Sequence, residues 1–259
     1  MVSGEIRTER RGGALWITVD RRSARNAMTF AMYDRIAAIC RDANADRTVR
    51  AVVLTGANEA FVAGTDIAQF ADFNTAEQAV AYERRMDAWL GAIEDVSVPT
   101  VAALRGPVVG GGLAIAAACD LRVAAPSARF GVPVARTLGN CFSAANLVRL
   151  AALVGLGRVK ELVFTARLID AREALAIGLV SEVVATDEKL VPRVDELVGE
   201  LGSYAPLTLR ATKEMLRRIR ARMLPDESAD LVALCYTSAD FREGVRAFLE
   251  RRPPAWKGE

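Results

Sequence analysis

The chain contains no histidine. That absence removes a Ser-His-Asp triad, a Cys-His dyad and every histidine-ligated metal site. Acid–base work must then fall to Asp, Glu, Tyr, Lys, Cys or water. Cysteine is scarce: Cys40, Cys119, Cys141 and Cys235 lie far apart and form no CxxC pair. They read as reduced thiols of a cytosolic protein. The net charge is +2 with no strongly basic tract, so nucleic-acid binding has no electrostatic support. No uncharged apolar run is long enough to span a bilayer. The polar stretch Met1–Arg11 lacks the apolar core of a secretory signal. A cytoplasmic protein without metal, membrane or nucleic-acid partner is expected.

What is present suits one sizeable α/β domain or a core with a small appendage: 259 residues, of which 52% are apolar and 25% charged. Ala14–Val19 alternates and is β-rich, so it reads as a strand. Thr29–Ala43 has helical spacing, with Phe30, Tyr33, Ile36 and Ala37 on one face. The wholly apolar runs Ala51–Leu54 and Thr100–Leu104, and Leu121–Ala124 after them, suit buried strands. Thr75 and Gln78 have capping-box spacing and open a helix running to about Glu94. Leu113–Cys119 has almost no polar residue and should be a helix buried on all sides. Strands alternating with helices imply βαβ units and a mostly parallel sheet. From about Ala144 helices dominate; Gly178 can end one of them, Val180–Val184 suits an edge strand, and two helical segments after Pro206 are broken at Pro225.

Three stretches carry candidate chemistry. In Phe61-Val62-Ala63-Gly64-Thr65-Asp66-Ile67, Gly64 permits a tight turn. Thr65 is expected to start a short helix, leaving its N–H without an intrahelical partner; the plainer reading is a strand–loop–helix junction capped by Asp66. Gly110-Gly111-Gly112 precedes the buried helix. Glycines admit a ligand to the backbone, and the helix N-terminus favours developing negative charge; equally, three glycines serve close packing. Ile115 stands where a dinucleotide fingerprint needs its third glycine, and no GK[ST] follows. Asp20-Arg21-Arg22-Ser23-Ala24-Arg25-Asn26-Ala27-Met28 reads as a solvated turn or as arginines placed to meet phosphates.

In this order and spacing the three stretches resemble the crotonase (enoyl-CoA hydratase/isomerase) superfamily. The similarity continues through Val49–Gly56, Gly106–Gly112 to Cys119-Asp120, Phe130-Gly131-Val132-Pro133, Ala171–Val180 and Phe248–Pro253. The resemblance implies an α/β fold: a crotonase-like spiral of ββα units over residues 1–200, which forms the acyl-CoA-binding core, and a helical trimerisation region over 201–259. It implies a homo-trimer or hexamer, an acyl-CoA thioester as the bound partner, and no cofactor beyond the coenzyme A of the substrate. The N–H groups of Thr65 and Gly111 would form the oxyanion hole. Ala24, Arg25, Ala63, Gly64, Asp66, Ile67, Gly110, Pro133 and Leu138 would contact the CoA or acyl group, and Lys257 would reach the CoA phosphates of a neighbouring subunit.

The chain departs from the family's hydratases at two places. Ala114 stands two residues past the glycine triplet, and Val134 directly follows the Phe-Gly-x-Pro turn; the hydratases of the resemblance carry a glutamate at each. Hydration by that pair is therefore not expected. Stand-ins near in sequence are Arg136, Cys141 at a helix start that can lower a thiol pKa, and Glu83 and Asp87 on the Thr75–Glu94 helix. The plainer readings are a surface ion pair for Arg136 and a small buried residue for Cys141. An acyl-CoA enzyme that stabilises an enolate is the first functional reading, with isomerisation, decarboxylation or thioester hydrolysis as its chemistry. A non-catalytic acyl-CoA-binding protein is the second, and a structural subunit selected for its trimer interface the third.

Overall fold

The computed structural model describes residues 5–225 and 228–258. Along these residues run β1 (Glu5–Arg11), β2 (Ala14–Asp20), α1 (Phe30–Ala45), β3 (Ala51–Gly56), α2 (Ala76–Glu94), β4 (Thr100–Leu104), β5 (Pro107–Val109), α3 (Gly111–Ala118), β6 (Leu121–Ala124) and β7 (Arg129–Gly131). Then follow α4 (Val134–Thr137), α5 (Ala144–Phe164), β8 (Ile169–Asp170), α6 (Ala171–Ala176), β9 (Glu182–Val183), α7 (Leu190–Ser203), α8 (Pro206–Ala221), α9 (Ala229–Tyr236) and α10 (Ala239–Leu249).

The main sheet has the order β1-β2-β3-β4-β6-β9. β1 and β2 form an antiparallel hairpin, and every later neighbour is parallel. Both faces are covered. Val52 and Leu54 of β3 join the larger apolar core, where α1, α2 and α3 pack. Ala51 and Val53 face the other way, onto Leu190, Val194 and Val198 of α7. A strand buried on both faces has no polar side to show, which is why its sequence is a continuous apolar run. A second sheet, β5-β7-β8, stands beside the first. Successive β-strand and helix turns wind as the expected spiral, followed by a helical C-terminal part.

Some elements differ from expectation. β1 was not anticipated: its residues are mostly exposed and charged, so it lacks apolar alternation. A charged edge also discourages pairing with other chains. The region after Pro206 holds three helices rather than two, because Ser238 ends α9's segment and caps α10, accepting from the Phe241 N–H. α5 bends at Gly155, whose φ of 78° and ψ of 158° lie outside the helical range. The position between residues 200 and 201 falls inside α7.

Candidate active site

The site is built around the loop after β2. Arg25 and Asn26 both adopt left-handed backbone, φ 48° and 61°. The buried Asn26 side chain holds that shape: its Nδ2 donates to the carbonyls of Ala57 (3.0 Å) and Ala60 (2.7 Å), and its Oδ1 accepts from the Arg21 N–H at 2.9 Å. The loop is then stitched to the next one, since Met28 N–H donates to Gly64 O and Asp66 N–H to Met28 O, each at 2.8 Å. The helical turn expected at Thr65 starts instead at Ile67, with Asp66 as its cap accepting from the Ala68 N–H. Arg21 is not free for phosphates, because it pairs with Asp66 at 2.8 Å.

Opposite this loop, Gly110 turns the chain into α3 with φ 54° and ψ −119°. A Cβ built on Gly111 would lie 3.6 Å from Thr65 N and 2.9 Å from Thr65 Oγ1, and would overlap the Tyr33 hydroxyl. The two backbones therefore approach as closely as glycine allows. Among the described residues, neither the Thr65 nor the Gly111 N–H has a protein acceptor. The Thr65 hydroxyl is engaged with Tyr33 Oη at 2.9 Å. Tyr33 is buried and stacked on Trp89, with ring centroids 4.9 Å apart. Burial holds its phenol well above the ordinary range, so it serves as a neutral brace.

These elements border a cavity of about 500 Å³. Ala24, Arg25, Ala63, Gly64, Thr65, Asp66, Ile67, Gly110, Gly111, Pro133 and Leu138 all line it, as do Ala114 and Val134. Lys257 does not: it is exposed, with its N–H on Asp240 Oδ1 at 2.7 Å. Arg136 is exposed and off the cavity. Cys141 is also off it, and its thiol is raised far above its ordinary range by a hydrogen bond to Cys235 and by burial.

The far wall comes from Tyr82, Glu83 and Met86 of α2, Asn140 and Phe142, Tyr236 of α9, and Phe248 and Arg251; of these the sequence had offered Glu83 as a stand-in, while Asn140 and Tyr236 had not been joined to the site. Glu83 is 6% exposed. Burial pushes its carboxyl up to about 7, Asp87 adds to this, and the Tyr236 hydroxyl and Ser143 N–H pull the other way. Tyr236 Oη donates to Glu83 Oε1 at 2.5 Å and accepts from Asn140 Nδ2 at 3.0 Å. Among the described residues no group of three or more His, Cys, Asp or Glu side chains could hold a metal, and no helix is long and apolar enough to cross a membrane.

Comparison with known proteins places this arrangement. The enoyl-CoA hydratase/isomerase family matches residues 9–259. The chain is 34% identical to the short-chain-enoyl-CoA hydratase of Clostridium acetobutylicum, covering 94% of each chain. It is 37% identical to the crotonyl-CoA hydratase of Syntrophomonas wolfei, covering 81% of each. Among solved structures it resembles an enoyl-CoA hydratase/carnithine racemase from Magnetospirillum magneticum, with TM-score 0.80, 32% identity and coverage of 98% and 96%. It also resembles methylmalonyl-CoA decarboxylase in complex with 2-nitronate-propionyl-CoA, with TM-score 0.88, 25% identity and 98% of both chains covered. On the family match and these relatives, the chain belongs to the enoyl-CoA hydratase/isomerase family of the crotonase superfamily.

Proposed function

We propose that this chain is a cytoplasmic acyl-CoA enzyme that holds the thioester oxygen between the N–H groups of Thr65 and Gly111 and stabilises the enolate formed beneath it. The observation that carries the reading is the pair of N–H groups on one cavity, close together and without protein acceptors among the described residues. Preorganised donors of this kind act where charge develops, and each is worth roughly 3–4 kcal/mol of transition-state stabilisation. The N–H of Gly111 also lies at the start of α3, where the helix dipole favours negative charge. The solved decarboxylase relative carries a CoA ligand, and thioester chemistry is common to the relatives' names.

Ordinary hydration does not fit the side chains. Ala114 and Val134 line the cavity, and an alkyl group carries no proton at any pH. Isomerisation, decarboxylation or thioester hydrolysis needs fewer acid–base groups. The same two alkyl positions favour the second reading, a protein that binds acyl-CoA without turning it over. CoA itself arrives with the substrate, Arg25 and Arg251 being the cations on the cavity wall. The C-terminal helical region is assigned to self-association as a trimer or hexamer, with Lys257 offered to a neighbour's CoA phosphates.

Crotonyl-CoA hydration, followed by absorbance, tests the assignment against the Ala114→Glu/Val134→Glu double substitution. The unmodified chain is expected to stay well below a common enzyme rate of about 10 s⁻¹, and the double substitution to gain activity. Fast hydration by the unmodified chain would contradict the account of the two positions. Binding of acyl-CoA with no turnover across a panel of thioesters would establish the second reading.

A further inference from the structure

The cavity contains one carboxyl that nothing else accounts for. Of the acidic side chains on its wall, Asp66 caps a 3-10 turn and is paired with Arg21. Glu83 has no cation within salt-bridge distance among the described residues; its acceptor Oε1 instead takes the Tyr236 hydroxyl at 2.5 Å. A buried carboxyl without a cation is costly to keep unless a proton can reside on it. Tyr236 is in turn oriented by Asn140 at 3.0 Å. Glu83, Tyr236 and Asn140 come from α2, α9 and the loop after α4, and all three line the same cavity as Thr65 and Gly111. The rest of that wall is largely apolar or aromatic: Phe70, Tyr82, Met86, Leu138 and Phe142.

The geometry points to Glu83 as the proton-transferring group of this enzyme, acting on the acyl chain from α2 rather than from position 114 or 134, with Tyr236 as its positioning residue. This inference rests on the thioester reading above. With one carboxyl available, the reaction that balances is a proton shift within an unsaturated acyl thioester. The Glu83 carboxylate takes the α-proton of a β,γ-unsaturated chain, so that a C–H bond breaks and an O–H bond forms. The electron pair moves into the dienolate, whose oxygen is held by the Thr65 and Gly111 N–H groups. The same carboxyl returns the proton to the γ-carbon, giving the conjugated α,β-unsaturated thioester. Water is neither added nor lost, and no second acid is needed.

Because Glu83 sits near neutrality, at about 7, the basic form should appear as pH rises through that range. The groups around it are Tyr82 and Asp87 on its own helix, Tyr33 on α1, Cys141, and Tyr236 on α9. Arg149 of α5 stands against Asp87 at 3.5 Å. Removing the Tyr236 hydroxyl takes away a bond that lowers Glu83, so Tyr236→Phe should move the acidic limb of the pH–rate profile upward.

The experiment measures the isomerisation of β,γ-hexenoyl-CoA, its deuterium uptake in D2O, and its binding by calorimetry, in the unmodified chain, Glu83→Gln and Tyr236→Phe. Glu83→Gln is expected to bind the thioester as before and to lose about 10²- to 10⁴-fold in exchange and turnover. Tyr236→Phe is expected to lower the rate near neutral pH and to displace the acidic limb upward, and that limb also tests the proposal should Glu83→Gln not fold. Isomerisation undiminished in a folded Glu83→Gln, an unmoved pH limb in Tyr236→Phe, or binding without isomerisation in the unmodified chain would each overturn the role of Glu83. Failure of the unmodified chain to bind any acyl-CoA would instead overturn the thioester reading itself.

Discussion

A side chain at position 111 would collide with the Tyr33 hydroxyl and crowd Thr65. The cost of such a change is therefore displacement of the Gly111 N–H, not an intrinsic backbone penalty, because Gly111 itself has no left-handed φ. Gly111→Ala should lower kcat by about 10²- to 10³-fold, the usual effect of losing one oxyanion donor. Adding Tyr33→Phe removes the colliding oxygen and should recover part of that loss, as steady-state kinetics of the single and double substitutions would reveal. Unchanged kcat in Gly111→Ala would remove this N–H from the chemistry. The turns at Gly64 and at Gly110 to Gly112 could be picked out of the sequence because turn glycines are local signals, whereas the pairing of the Thr65 and Gly111 N–H groups was implied by the resemblance, and the helical turn expected at Thr65 starts at Ile67. Tyr236 could not be picked out, since its contacts with Asn140 and Glu83 span 96 and 153 residues of chain. No spacing rule reaches that far.

Helix α2 is where local and distant signals meet. Its capping box is written in four residues, and both reciprocal bonds between Thr75 and Gln78 form. Tyr82, Met86, Trp89, Leu90 and Ile93 are buried and set the helix against the core. That Glu83 lies among them was visible; that the helix faces a cavity there was not. Short elements were illegible for a different reason: β7 has three residues and β8 two, too few for a period of two to declare itself. The raised Glu83 has a consequence for stability. Its folded value, about 7, lies above the ordinary 4.5, so the protonated form favours folding. The contribution is fully present below about 4.5 and is lost as pH rises to about 7. Relative to Glu83→Gln, the unmodified chain should lose stability over that window, by about 3 kcal/mol at most. Denaturant melts at pH values across it would show the two curves diverging; parallel curves would mean the carboxyl is ionised without penalty.

The assembled chain leaves apolar surface uncovered. Leu207, Met215, Leu216 and Ile219 of α8 are 76%, 58%, 61% and 62% exposed, and α8 buries none of its own residues. A helix with one apolar stripe and no partner for it marks an interaction surface, and closed symmetric assemblies of identical chains are its commonest resolution. Sedimentation at micromolar concentration is expected to give trimers or hexamers, and Leu216→Glu/Ile219→Glu to shift them toward monomer; a purely monomeric unmodified chain would leave the stripe unexplained. The parallel core sheet was readable because its buried strands and the all-apolar α3 each need only their own residues to declare themselves, whereas the spiral of ββα units was implied by the family resemblance. One feature of the site bears on how such proteins diversify. The groups proposed to polarise the thioester belong to the main chain, and almost any residue at position 65 still presents an N–H. The groups proposed to move the proton are side chains on α2 and α9, each removable by one substitution. Descendants of such a chain can exchange or discard their chemistry repeatedly while the capacity to grip a thioester is inherited intact.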